Sequence, residues 1–121
     1  MLFSKGNINH PDLKAFGYWR EDKAKKSELP YPTDFIDNKL SQSLKEMLTN
    51  YICKKAKIIK EWKGYAKCRL CKERLGSACL SDGIFIFPEG YDHYIEEHNV
   101  YPPKEFIMKA IKFYMDHLYG D

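Results

Sequence analysis

Residues 68–98 decide how the second half of this chain folds, and they read CRLCKERLGSACLSDGIFIFPEGYDHYIEEH. The stretch begins with a Cys-x-x-Cys pair, Cys68 and Cys71, and ends with a His-x4-His pair, His93 and His98. Two thiolates and two imidazoles are the ligand set of a closed tetrahedral zinc site. The spacing therefore predicts that these four residues hold one structural Zn²⁺.

The residues between the two pairs predict a β-hairpin that leads into a helix. Residues 78–80 and 84–87 are typical of two short strands, and the Ser-Asp-Gly between them favours a tight turn. Pro88 suits the first turn of a helix. Positions five apart on an ideal helix point about 140° away from each other. We therefore expect His98 to lie where this helix ends, with Asn99 in a left-handed closing conformation.

The other cysteines leave alternatives open. Cys79 could replace one histidine as a ligand, and Cys68 and Cys71 could instead be free thiols beside surface histidines. Cys53 falls on an apolar helical stripe, which predicts a buried small hydrophobic side chain. A redox role for the Cys-x-x-Cys pair is disfavoured, because no strand-to-helix context of the thioredoxin type surrounds it.

The flanking segments predict two long helices around this stretch. One helix is expected over 33–56, started by Thr33 or Asp37. A second helix is expected over 103–119, where apolar residues recur at helical spacing. The predicted buried stripes are Leu40, Leu44, Met47, Leu48, Tyr51 and Ile52 in the first helix, and Phe106, Ile107, Ala110, Ile111, Tyr114 and Leu118 in the second.

The whole chain, residues 1–121, is expected to form a single α+β domain. A zinc-bound knuckle, a hairpin and a helix make up a zinc module over 57–100, packed between the two flanking helices. Residues 57–65 are ambiguous between a strand and the end of the first helix. Residues 1–32 are read as an irregular N-terminal segment, because prolines, asparagines and a glycine interrupt it. Its aromatic cluster (Ala15, Phe16, Tyr18 and Trp19) is expected to dock on the core.

Charge and composition limit the functional classes to which this protein can belong. The 121 residues carry a formal net charge of only +3. Basic residues are concentrated over 54–72 and acidic residues over 82–105, which predicts two faces of opposite sign. No segment approaches the roughly 18 apolar residues of a membrane span, and no apolar stretch at the N-terminus has signal-peptide length. We expect a cytoplasmic protein, in which four cysteines favour metal binding over disulfides.

The segment 68–106 resembles a bacterial protein family known only as uncharacterised. Its members share a Cys-Arg-x-Cys turn, a glycine, an Asp-Gly turn, an aromatic-Pro-Glu-Gly segment, a His-Tyr-x-x-x-His helix and a Pro-x-x-Phe. Here these motifs appear as CRLC, Gly76, SDG, FPEG, HYIEEH and PKEF. Phe87 stands where the family usually has Trp, and Tyr91 where it has Leu. The resemblance implies that the two cysteines and two histidines act as one unit, and it implies no activity.

The leading functional hypothesis is a non-enzymatic, zinc-stabilised binding module. A protein partner is favoured because the predicted zinc helix is acidic, and an immunity-type protein that neutralises a toxin is one possibility. The alternative is a nucleic-acid-binding, zinc-finger-like protein that uses the basic run 54–72 with Trp62 and Tyr65 as stacking aromatics. On the protein-partner hypothesis, Trp62 packs against the zinc module instead. A zinc-dependent hydrolase is a second alternative, although His-Glu-x-x-His is absent.

Overall fold

The computed structural model describes residues 13–19 and 29–119, apart from the side chains at positions 62, 63, 118 and 119. The described elements are strand β1 (Lys14–Ala15), a short 3-10 helix (Pro32–Phe35), helix α1 (Gln42–Lys55), strands β2 (Lys57–Lys67), β3 (Arg74–Ser81) and β4 (Phe85–Pro88), and helices α2 (Tyr91–His98) and α3 (Lys104–Tyr119). This is the α+β class expected from the sequence.

The strands form one mixed sheet in the order β1-β4-β3-β2. β1 runs parallel to β4, whereas β3 is antiparallel to both of its neighbours. The β2–β3 ladder contains irregularities, because Ile58 pairs with Leu80 while Lys60 already pairs with Cys79. One extra residue in β2 is a β-bulge, which bends and twists the strand locally. β2 is therefore long and irregular, and it lies last in the strand order formed by residues 13–19 and 29–119.

An aromatic core fills the space between the sheet and the three helices. Phe16 lies at its centre, with ring centroids 5.1 Å from Phe87, 5.0 Å from Tyr91 and 4.9 Å from Phe106. Edge-to-face and offset ring pairs at such distances add to the stabilisation from burial. The core thus joins the N-terminal segment, β4, α2 and α3. The expectation that the aromatic cluster docks on this core is confirmed for Phe16 and Trp19, whereas Ala15 is buried in a second, smaller cluster with Cys79 and Ile86.

A buried carboxylate ties three elements together beside this core. The side chain of Asp82, in the β3–β4 turn, is 1% exposed and lies 3.0 Å from Lys109 Nζ on α3. The Tyr51 hydroxyl on α1 also donates to Asp82. The backbone N–H groups of Ile84 and Phe85 donate to its other oxygen, at 3.0 and 2.8 Å. A buried charge is tolerated only when it is paired and hydrogen-bonded in this way.

The first long helix begins later than predicted. The expected start at Thr33 or Asp37 is wrong, because Ser41 caps α1 by accepting the Leu44 N–H at 3.1 Å. Thr33 lies in the 3-10 helix. The next residues are extended against residues 99–101, with the Asp37 N–H donating to Asn99 O at 2.9 Å. This long-range pairing delays the start of the helix.

Residues 57–65, which were ambiguous between a strand and the end of the first helix, lie in strand β2.

The predicted apolar stripe of α3 is only partly buried. Phe106 and Ala110 are buried, but Ile111 and Tyr114 are exposed, and Phe113 packs against the core in their place. The core-facing side of α3 is thus rotated relative to the prediction.

The side chains of Leu118 and Trp62 lie outside the described part of the structure. Most residues of the irregular segment predicted over 1–32 also lie outside it. Across residues 13–19 and 29–119, no helix combines the length and apolar character needed to cross a membrane.

Candidate metal centre

A tight turn directly after β2 positions the two cysteines. The Cys68 N–H donates to Glu73 O at 2.8 Å, and the Lys72 N–H donates to Cys68 O at 2.9 Å, so the turn closes on itself. Lys72 takes a left-handed conformation with φ of 68°, which is uncommon for a residue with a Cβ. Two residues between the cysteines let this turn present both sulfur atoms on one side.

Helix α2 supplies both histidines. Gly90 precedes the helix with φ of 94°, and a Cβ there would lie 2.6 Å from the Leu75 Cβ, so only glycine lets the helix start this close to β3. His93 lies in the first turn, and His98 is the last residue of the helix. Asn99 follows in the left-handed conformation, with φ of 55°. The expectation that His98 lies at the helix end is confirmed.

The four side chains converge on one point. Their potential ligand atoms, the two Sγ atoms and one nitrogen from each imidazole, all lie within 4.8 Å of one another. Cys71 Sγ is 3.3 Å from His93 Nε2, and Cys68 Sγ is 3.4 Å from His98 Nε2. Bond lengths of about 2.3 Å to sulfur and 2.05 Å to nitrogen place S and N about 3.6 Å apart around tetrahedral zinc. The geometry therefore fits a four-coordinate metal ion.

Glu73 orients one of the histidines. Its carboxylate oxygen is 3.4 Å from His93 Nδ1, on the opposite side of the ring from the sulfur of Cys71. A carboxylate at Nδ1 favours the tautomer whose Nε2 lone pair is free for a metal. The sequence analysis missed Glu73, although a carboxylate two residues after the second cysteine was a usable signal.

Hydrogen bonds to two tyrosines and within the turn itself hold the cysteine turn in place. The Arg69 N–H donates to the Tyr94 hydroxyl at 2.8 Å, and the Tyr31 hydroxyl donates to Arg69 O at 3.1 Å. The Leu70 N–H lies 3.4 Å from Cys68 Sγ, an arrangement that stabilises a thiolate. Tyr94 belongs to the buried core, so the turn is anchored to the aromatic core through it. The sequence alone did not identify either tyrosine as a support.

Burial and close neighbours shift the pKa values of two of the four side chains. A backbone hydrogen bond at Glu73 lowers the pKa of Cys71, but desolvation and the neighbouring Cys68 outweigh it and raise that pKa overall. Desolvation and the nearby His93 lower the pKa of His98, which leaves its imidazole neutral and able to coordinate. Metal binding requires the thiolate, so a divalent ion bound to Cys71 would compete with its proton.

The remaining cysteines lie elsewhere. Cys79 is buried in β3, where its sulfur receives a hydrogen bond from the Tyr18 hydroxyl at 3.2 Å, and it does not belong to the cluster. The structure therefore gives no support to Cys79 as a replacement ligand. Cys53 is exposed, so the prediction that it is buried is wrong. It falls on the outer side of α1, whose buried residues are Leu48, Tyr51 and Ile52.

Comparison of the chain with protein family models, with curated proteins and with solved structures finds no match. The candidate centre therefore rests on its own geometry and on the chemistry of its four donor atoms.

Proposed function

We propose that this protein is a non-enzymatic, zinc-stabilised binding module whose partner is another protein. The observation that carries the proposal is the convergence of Cys68, Cys71, His93 and His98, whose ligand atoms all lie within 4.8 Å of one another. Two sulfur and two nitrogen donors at tetrahedral spacing favour zinc over magnesium or calcium, which prefer oxygen ligands.

The donor count supports a structural role for the metal. Four protein ligands complete a tetrahedral shell, whereas a catalytic zinc keeps a position open for water. The Glu73 carboxylate lies 3.4 Å from His93 Nδ1 and so acts as an orienting group. These features favour the binding module over the zinc-dependent hydrolase.

A protein partner is favoured over nucleic acid by the acidic side chains of helix α2. Helix α2 carries Asp92, Glu96 and Glu97, and the last two are exposed. Acidic side chains on the metal-bearing helix repel a phosphate backbone, so this helix does not suit a nucleic-acid groove. An immunity-type role, in which the module neutralises a toxin, is one form that such a protein–protein interaction could take.

Metal analysis of purified variants tests the first part of the proposal. Wild-type protein is expected to carry one zinc per chain, and Cys71→Ser and His93→Ala are expected to lose most of it. Cys53→Ser and His117→Ala are matched controls, because both residues are exposed and outside the cluster, and they should keep full occupancy. Full zinc occupancy in Cys71→Ser and His93→Ala would overturn the assignment.

Affinity capture with the zinc-loaded protein, with and without nuclease treatment, tests the second part. A protein partner should be retained after nuclease treatment. Loss of all captured material on nuclease treatment would favour the nucleic-acid alternative.

A further inference from the structure

Helix α3 is apolar on two opposite sides. Phe106 and Ala110 face the core and are fully buried. Met108 lies two residues from each of them, which places it about 160° away around the helix. A helix that is apolar all round is normally covered all round. The core covers one side of α3, so the opposite side is a candidate interface.

Three apolar side chains form a row along this opposite side, which we call the outer stripe of α3. Met108, Ile111 and Met115 are 59%, 39% and 46% exposed. Their spacing of three and four residues places them one above the other along the helix. Tyr114, which is also exposed, widens the apolar surface at one side. Contiguous exposed apolar surface on a folded protein marks a site of interaction.

Two residues of opposite charge border the outer stripe on its other side. Glu105 and Lys112 are seven residues apart, or two helical turns, so they lie on the same side of the stripe. Lys112 is exposed. The Glu105 side chain is 57% exposed, although it pairs with Lys14 at 2.7 Å. An acid near one end of a row and a base further along it favour a partner with the reverse order of charges. A second copy of α3 that runs in the opposite direction has this order.

We propose that this protein forms a reversible two-fold dimer in which the outer stripes of two antiparallel α3 helices pack together. Contacts in a two-fold interface are reciprocal, so the stripe must be complementary to itself. A two-fold axis midway between Met108 and Ile111 brings Met108 of each copy opposite Ile111 of the other. This inference goes beyond the proposed function, because neither the metal nor a different protein takes part in the interface.

The same register suits the residues around these central pairs. Lys104 comes opposite Met115 of the second copy, where its aliphatic stem can cover the methionine while its ammonium group stays in water. Lys112 comes within reach of Glu105 of the second copy, and the symmetry forms this ion pair twice. A parallel arrangement would instead place Lys104 opposite Lys104, and like charges that face each other across an interface are unfavourable. The antiparallel arrangement is therefore favoured.

The size of the interface predicts a weak dimer. Helix α3 has 16 residues, which makes it about 24 Å long and about 10 Å wide. One such helix per copy covers less than the roughly 800 Å² per partner of a standard stable interface. Each helix is already folded on its own module, so dimerisation does not include the cost of forming it. We therefore expect a Kd of about 1–100 µM.

Sedimentation velocity of the zinc-loaded protein tests the proposal. Between about 1 µM and about 500 µM, mass action should shift the protein from a 14.3 kDa monomer towards a species of twice that mass. A single 14.3 kDa species over this whole range would overturn the proposal.

A substitution in the outer stripe locates the interface. Ile111→Glu places two carboxylates at the centre of the dimer and should weaken dimerisation at least about tenfold. Ile58→Glu is the matched control, because Ile58 is exposed and lies on β2, and it should change the Kd less than about twofold. Thermal unfolding checks that both variants remain folded. A dimer that Ile111→Glu leaves intact, or that both variants weaken equally, would overturn the proposal.

A charge reversal tests the antiparallel register. In Lys112→Glu the new carboxylate faces Glu105 of the second copy, which should weaken dimerisation about threefold. Lys39→Glu is the same reversal at an exposed position outside α3, and it should change the Kd less than about twofold. Equal effects of the two reversals would show that only net charge matters and would overturn the antiparallel register.

Discussion

The cysteine turn, residues 68–73, and the aromatic core around Phe16 and Phe106 are stabilised in different ways. In the turn, most side chains are exposed or half-buried, and order comes from four donor atoms and a few backbone hydrogen bonds. In the core, Phe16, Phe87 and Phe106 are all 1% exposed or less. The turn buries only Cys68 fully and Leu70 partly, so on the proposed function its order depends on the metal, whereas the core buries enough apolar surface to be stable without one.

Metal removal should have the largest effect and should separate the two regions. Structural zinc contributes on the order of 10–16 kcal/mol in small finger peptides, which is more than the turn can replace by packing. After chelation, amides in residues 68–75 should lose hydrogen-exchange protection. Amides in α1 and α3 should keep theirs, because both helices bury side chains in the metal-independent core. Unchanged protection in 68–75 would show that the turn does not depend on metal.

Asp82→Asn should weaken the core region and leave metal binding intact. The substitution removes the charge that pairs with Lys109 and accepts from Tyr51, and loss of a buried charged partner should cost about 3 kcal/mol. Denaturant unfolding measures the loss, and Asp116→Asn, an exposed acid on α3, is the control. Reduced zinc occupancy in Asp82→Asn would show that the two regions are coupled.

The same carboxylate predicts a pH dependence. Desolvation raises the pKa of Asp82, but hydrogen bonds from Tyr51 and two backbone amides, together with Lys109, outweigh it and hold that pKa below 3.8. A group with a depressed folded-state pKa stabilises the fold fully above its unfolded pKa, and this contribution disappears as the pH falls through the folded value. The stability difference between wild type and Asp82→Asn should therefore be constant above about pH 5 and shrink below about pH 4.

Glu73→Gln should lower the zinc affinity of the candidate metal centre without destabilising the aromatic core. Loss of a carboxylate that orients a coordinating histidine typically lowers metal affinity by about 10–100-fold, and the 65% exposure of Glu73 favours the lower limit. Competition with a chromophoric chelator measures the affinity. Glu96→Gln, at an exposed site on α2, should bind zinc as tightly as wild type. An equal loss in both variants would show that net charge, not orientation of His93, sets the affinity.

Lys72→Gly should produce the smallest effect, and it should be stabilising. Lys72 has φ of 68°, a conformation that glycine adopts without steric cost, so relief of strain should stabilise the turn by up to about 1 kcal/mol. The gain should appear as tighter zinc binding in the chelator competition. Lys67→Gly, at a position without positive φ in β2, should instead destabilise by about 0.5–1 kcal/mol. Weaker zinc binding in Lys72→Gly would contradict the strain argument.

The four donor residues were predictable because a metal site is encoded by residue type and spacing. Cys68, Cys71, His93 and His98 were identified from the sequence, and the structure brings their donor atoms together. The end of α2 was equally predictable from the spacing of His93 and His98. Residues five apart do not share a helix face unless the helix ends at the second one. The α+β class followed from the alternation of helical stripes with short strand-like runs.

Long-range contacts decided the features that the sequence analysis missed. Helix α1 starts at Gln42 because residues 35–37 pair with residues 99–101, a contact that no local propensity reveals. The buried face of α3 is the one that meets Tyr51 and Phe16, so Phe113 packs inward while Ile111 remains exposed. Glu73 can orient His93 only because the tertiary fold places the cysteine turn next to α2. Local spacing fixes which atoms can bind a metal, and tertiary packing fixes which faces are covered, because burial depends on partners that are distant in the chain.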